Sequence, residues 1–166
     1  MSRSLVLFVP NLGKIQVAKS KVDLLSLSAE EVLTELFIGE LLIAENSRRG
    51  NILFLENVDV LGFVLNLRLR VSEMKRVNER SNRITSAYQF YDIDIEIDGE
   101  HITLRDRIQE SHEVRLNASA FVKQLNGCVS DIYGLLQFFF PEISSRKDSD
   151  SFRQWFLQGS KNSRKV

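Results

Sequence analysis

Tyr91-Asp-Ile-Asp-Ile-Glu-Ile-Asp-Gly-Glu-His-Ile-Thr-Leu-Arg105 alternates apolar and polar residues on both sides of an Asp98-Gly99 pair. Alternation at period two sends successive side chains to opposite faces of a strand, and Asp-Gly is a favoured two-residue hairpin loop. With Asp98-Gly99 as that loop, Glu96 faces His101, Ile95 faces Ile102, Ile93 faces Leu104 and Asp92 faces Arg105. One face is then aliphatic. The other carries Asp92, Asp94 and Glu96 in a row, with His101 and Arg105 as cross-strand partners that offset part of the charge. The stretch predicts an antiparallel sheet with one buried and one wet side.

Upstream, Phe63, Leu65, Leu67, Leu69 and Val71 alternate with Val64, Asn66, Arg68 and Arg70, a pattern that reads as a strand. Residues 73–84 are polar and basic and read as a loop. A strand from about Ser86 into Ile97 then completes a three-stranded meander over residues 61–105. Glu113 to Leu116 adds a strand, as does Ile52 to Leu55. Near the N-terminus, Ser4 to Val9 and Lys14 to Ala18 flank the turn cluster Pro10-Asn-Leu-Gly13 and read as a hairpin.

Two segments change period. Ser28 and Glu31 match a capping box, and Val32, Leu33, Leu36, Phe37, Leu41 and Ala44 follow at helical spacing, which predicts a helix over about 29–45 that Gly39 weakens. Asn117 reads as the N-cap of a long C-terminal helix whose buried stripe is Phe121, Leu125, Val129, Ile132 and Leu136, stopped by Pro141. The expected fold is α+β: a mainly antiparallel meander of five to seven strands with this helix packed on its aliphatic face. Residues 1–145 are expected to form a single domain. Residues 146–166 hold Phe152, Trp155 and Phe156 at helical spacing, followed by a basic tail.

Composition bounds the function. A chain of 166 residues with 43% hydrophobic and 27% charged residues is of the size and make-up of one globular domain. Lys plus Arg and Asp plus Glu both number 22, which argues against a dedicated nucleic-acid binder, normally marked by a basic excess. Cys128 is the single cysteine, so no internal disulfide forms. Leu5 to Val9 is too short for a signal-peptide core, and no run approaches the roughly 18 apolar residues of a spanning helix, so a cytoplasmic protein without membrane attachment is the default.

Catalytic signatures are weak. The phosphate-cradling, dinucleotide-binding and nucleophile-elbow motifs are missing from the sequence, and Cys128 falls on the apolar stripe of a helix. Asp92-Ile-Asp94 has the spacing of a two-metal carboxylate pair but lacks a preceding Gly-Ser turn. Asp59 with Glu73-Met-Lys75 has the letters of a metal-dependent nuclease, yet along one run they stand far apart. Neither a metal nor a cofactor is expected. By elimination, the sequence points to a non-enzymatic protein-interaction module, of the kind an inhibitor or immunity protein would be. Its partner-binding residues would be Asp92, Asp94, Glu96, Asp98, Glu100 and Trp155, set against the basic surface of a toxin or nuclease. The alternative is a nucleic-acid-associated protein using Arg68, Arg70, Lys75, Arg76, Arg80 and Arg83. A second alternative is a metal-dependent hydrolase built on the hairpin carboxylates.

Overall fold

Seven strands in two antiparallel sheets, with three helices around them, make up the residues that the computed structural model describes: 3–21, 23, 26–28, 31–32, 36–46, 51–86, 91–109 and 112–146. In chain order these are β1 (Arg3–Pro10), α1 (Leu12–Lys21), β2 (Ile38–Asn46), β3 (Ile52–Asp59), α2 (Val60–Val77), β4 (Ser81–Thr85), β5 (Asp92–Asp98), β6 (His101–Asp106), β7 (Glu113–Asn117) and α3 (Ala118–Phe139). A 3-10 turn over Pro141–Ser145 follows. The first sheet has the order β1-β2-β3 and the second β4-β5-β6-β7. The fold is α+β with a long C-terminal helix. The expected aromatic helix around Trp155 lies outside the described residues.

The N-terminal expectations need correction. β1 contains the expected Ser4–Val9 strand and runs on through Pro10, but Lys14 to Ala18 belong to α1 rather than to a second hairpin arm. Asn11 starts that helix, its Oδ1 accepting from the Lys14 N–H at 3.0 Å, and Ile15 is buried beneath it. The partner of β1 is instead β2, with Val6 opposite Ile43 and Pro10 opposite Gly39.

The helix expected over 29–45 survives only at its start. Ser28 Oγ accepts from the Glu31 N–H at 3.2 Å, and Glu31 Oε2 accepts from the Ser28 N–H at 2.6 Å, completing the capping box. Ile38–Asn46, however, is a strand. Paired on both edges, it buries Leu41 and Ile43 while Glu40 is exposed, a period-two pattern hidden within apparent helical spacing. Gly39 is required by close approach: a Cβ there would collide with the Val9 carbonyl oxygen.

The alternation over 63–71 likewise resolves as helix. In α2 the buried residues are Val60, Leu61, Phe63, Val64, Leu67, Val71 and Met74, a stripe of period 3.6, and Leu69 is 56% exposed. Leu and Arg are good helix formers, so the local preference agrees with the packing. Asn78, in the left-handed region at φ 55°, ends the helix. The meander therefore begins later and has four strands, β4 to β7, spanning Ser81 to Asn117. Part of the strand expected from Ser86 lies in residues 87–90, outside those described.

The central hairpin is present with its aliphatic face intact, but its turn sits one residue further along. Asp98 pairs with His101, Ile97 with Ile102, Ile95 with Leu104 and Asp94 with Arg105, leaving Gly99-Glu100 as the loop. Of the two loop residues it is Gly99 that carries a positive φ, 56°, the mark of a loop that wants Gly first. Moving the turn by one residue slides each partner by two, so parity is conserved and the buried set is unchanged. The expected Ile95–Ile102 and Ile93–Leu104 pairs become diagonal neighbours.

One hydrophobic cluster joins both sheets and all three helices, running from Val6 to Ile143. Asn117 caps α3 through the Ala120 N–H at 3.0 Å, and Phe121, Leu125, Val129, Ile132 and Leu136 are fully buried. The long helix packs on one sheet face as expected, chiefly that of the first sheet. Its main neighbours are β1 and α2, with β7 at its start. The aliphatic face of the meander meets α2 and the first sheet instead, with the Phe63 and Tyr91 rings edge-on at 4.7 Å.

Candidate functional site: the outward face of the second sheet

Period-two alternation on four strands puts Thr85 and Arg83 of β4, Asp92, Asp94, Glu96 and Asp98 of β5, His101, Thr103 and Arg105 of β6, and Glu113 and Arg115 of β7 on one side. The register sets them in rows. Arg83, Asp94, Arg105 and Glu113 form one row across the sheet, and Ser81, Glu96, Thr103 and Arg115 form the next.

The carboxylates are not equivalent. Asp92 and Asp94 are half-buried and tied down by arginines. Arg83 grips Asp92 with both ends of its guanidinium fork, and Arg107 reaches Asp94 at 3.2 Å and Asp92 at 3.9 Å. The Arg83 hydrogen bond, with the charges of Arg83 and Arg107, holds the Asp92 carboxyl below the usual range against a partial desolvation cost. The same pairing raises the Arg83 guanidinium. On the next strand pair, Arg105 bonds Glu113 at 2.7 Å. Toward the turn the pattern loosens: Glu96, Asp98 and Glu100 are exposed, and Asp98 lies 3.7 Å from Arg115, both side chains being exposed.

Of the expected acidic set, the structure thus brings Asp92, Asp94, Glu96 and Asp98 onto one face, with Glu100 in the turn beside them. Trp155 lies outside the described residues. Arg107, Arg115 and Glu113 belong to the face and were missed. Their signal was in the chain: with Gly99-Glu100 as the loop, Asp94 falls opposite Arg105, and continuing that register sets Asp92 opposite Arg107.

The expected basic set is dispersed. Arg83 is spent on Asp92, and Arg70 pairs with Glu73 at 3.3 Å on the same helix. Arg68 is half-buried on α2, and that burial lowers its pKa. Lys75 and Arg76 occupy the last turn of α2, where cations suit the helix C-terminus, and Arg80 follows in the connection to β4. The loop expected over 73–84 is thus a helix end, a short turn and a strand.

Among the described residues, no group of three or more His, Cys, Asp and Glu is placed to hold a metal ion. Asp59 and Glu73 sit at the N-cap and in the fourth turn of one helix, about 20 Å apart at 1.5 Å rise per residue, so the nuclease-like arrangement does not converge. Burial pushes the Asp59 carboxyl up to about 6, and the side chain makes no capping bond to α2. The neighbouring Tyr91 phenol is raised by its own burial, aided by the charge of Asp59. Burial, aided by Asp131, pushes the Cys128 thiol up to about 12, the opposite of a nucleophile's requirement. No described helix is long and apolar enough to cross a membrane.

Comparison of the chain with models of protein families, with curated proteins and with solved structures found no match.

Proposed function

We propose that this protein is a non-enzymatic interaction module that docks on a basic partner surface through the turn end of the β5–β6 hairpin, as an inhibitor or immunity-type protein would. The observation that carries the reading is the division of the carboxylate row. Asp92 and Asp94 have their charge answered by Arg83 and Arg107, whereas Glu96, Asp98 and Glu100 are exposed beyond them. A cluster of exposed like charges at the end of a rigid hairpin steers a basic partner and speeds its encounter. The working surface is therefore narrower than the whole row.

The test is affinity capture from the native host with the wild type and with Glu96→Gln, Asp98→Asn, Glu100→Gln combined, in parallel with retention of a mixed DNA and RNA pool. The reading expects a basic protein that the wild type captures and the triple variant loses, with nucleic acid retained by neither. Nucleic-acid retention abolished by neutralising Lys75, Arg76 and Arg80 would move the function to the end of α2.

A further inference from the structure

The outward side of the first sheet is as apolar as the second sheet's is charged. Leu5, Leu7 and Val9 of β1 alternate with inward Ser4, Val6 and Phe8 and are 38%, 48% and 61% exposed. The register sets Leu7, Leu42 and Phe54 in one row across the sheet and Leu5, Ala44 and Ile52 in the next. Ile52 is 48% exposed, and Leu42, Ala44 and Phe54 are half-buried. The wet face of an antiparallel sheet normally alternates to polar residues at such positions, so leucines there mark a contact surface. Charge enters only at the Pro10 end, where Glu40 lies opposite Val9 and Glu56 follows on β3, both exposed.

Shape and charge together select the cover. A flat sheet face is matched by another flat sheet face about 10 Å away, and a second copy of the chain supplies one of the same dimensions. The carboxylates then decide the orientation. A two-fold axis lying between the sheets and along the strands would press Glu40 and Glu56 against their own counterparts. An axis across the strands reverses their direction, so that the Leu5 row of one copy lies over the Leu7 row of the other and the two acidic ends fall at opposite ends of the contact. In that orientation the face complements itself, which is what a two-fold interface requires. We propose that two copies of this chain pack through the outward faces of their first sheets about a two-fold axis running across the strands. Strand and residue spacings make the patch roughly 15 Å by 20 Å, at the small end of specific interfaces, so the dimer dissociates on dilution. None of Glu96, Asp98 and Glu100 belongs to this face, and the dimer therefore carries two hairpin ends.

Sedimentation equilibrium of the full-length chain from about 1 µM to about 1 mM tests this, the range in which a small interface associates. The wild type should pass from monomer to dimer and no further, because a two-fold contact closes on itself. Leu7→Glu puts a charge in the middle of the contact and should raise the dissociation constant by about tenfold or more while far-UV circular dichroism stays native. If Leu7→Glu fails to fold, Leu7→Thr, which suits a strand, carries the same comparison. Glu40→Gln with Glu56→Gln should leave the constant within about threefold of the wild type, since these carboxylates do not meet across the contact. A wild type that stays monomeric throughout would overturn the proposal and give the face to a partner of another kind. So would a dimer that neither Leu7 variant weakens, since its contact would lie elsewhere. Marked tightening by the Glu40 and Glu56 variant would overturn the axis across the strands, because the acidic ends would then be facing each other.

Discussion

On the second sheet, the outward positions hold Asp92, Asp94, Glu96 and Asp98 facing Arg83, Arg105, Arg107 and Arg115; on the first, they hold Leu5, Leu7, Val9, Leu42 and Ile52. Both arise from the same two-residue alternation over one shared core. What differs is the cost of leaving each in water. Paired charges stay solvated at little cost, and a row of leucines does not. The charged face can thus wait for a partner, whereas the apolar one calls for a cover.

The largest effects should come from the side the two sheets share. Ile43→Ala on the inward face of the first sheet, or Leu125→Ala on the stripe of α3, should each cost about 2–5 kcal/mol in urea melts, because a cavity remains. Leu7→Ala, the outward neighbour, should cost distinctly less. Equal losses at Ile43 and Leu7 would mean that the outward face is core in its own right.

Asp59 supplies the next effect, at the junction of β3 and α2. Its folded value, about 6, lies above the unfolded value of about 3.9, so the folded protein holds more protons between the two. The cost of this group is therefore absent below about pH 4 and fully present above about pH 6. Asp59→Asn should stabilise the protein at pH 7 by roughly 1–3 kcal/mol more than at pH 4, a range that allows for partial solvation. Melts at the two pH values check it, and a gain independent of pH would assign the effect to something other than the charge.

How much of this was legible in the sequence depended on whether a pattern had one reading. The β5–β6 hairpin and the stripe of α3 were clear because Asp-Gly and a capping Asn each anchor an unambiguous period. Phe63 to Val71 was not, since apolar residues at 63, 65, 67, 69 and 71 satisfy alternation while the buried set 60, 64, 67, 71 and 74 satisfies a helix. β2 was lost to the reverse error: its apolar run also fits helical spacing, and what makes it a strand is pairing with β1 and β3, which no local signal announces. Losing β1 and β2 as neighbours hid the apolar face altogether. On the charged face the carboxylates were found and three of the partnering residues were not, because a turn placed one residue early slides Arg107 out of the pairing that Asp92 requires.

A smaller effect should separate the two halves of the carboxylate row. Asp92 has its pKa lowered chiefly by Arg83, so that pairing stabilises the fold above the unfolded value near 3.9 and is lost as pH falls through the folded one. Arg83→Ala should weaken the protein slightly at pH 7, less so in high salt and not at all once Asp92 is protonated. Melts over pH and salt check this. A loss that persists at low pH would indicate packing rather than charge.

The most direct measurement compares two neutralised variants for association with the captured partner across a salt series: Asp92→Asn with Asp94→Asn, and Glu96→Gln with Asp98→Asn and Glu100→Gln. The proposed docking surface predicts that the second variant folds as stably as the wild type yet associates more slowly at low salt, the deficit closing as salt rises. The first should lose some stability while its folded fraction associates at the wild-type rate. Equal slowing by both variants, or an unchanged rate for the Glu96, Asp98 and Glu100 variant at every salt concentration, would contradict the assignment of the hairpin end as the working surface.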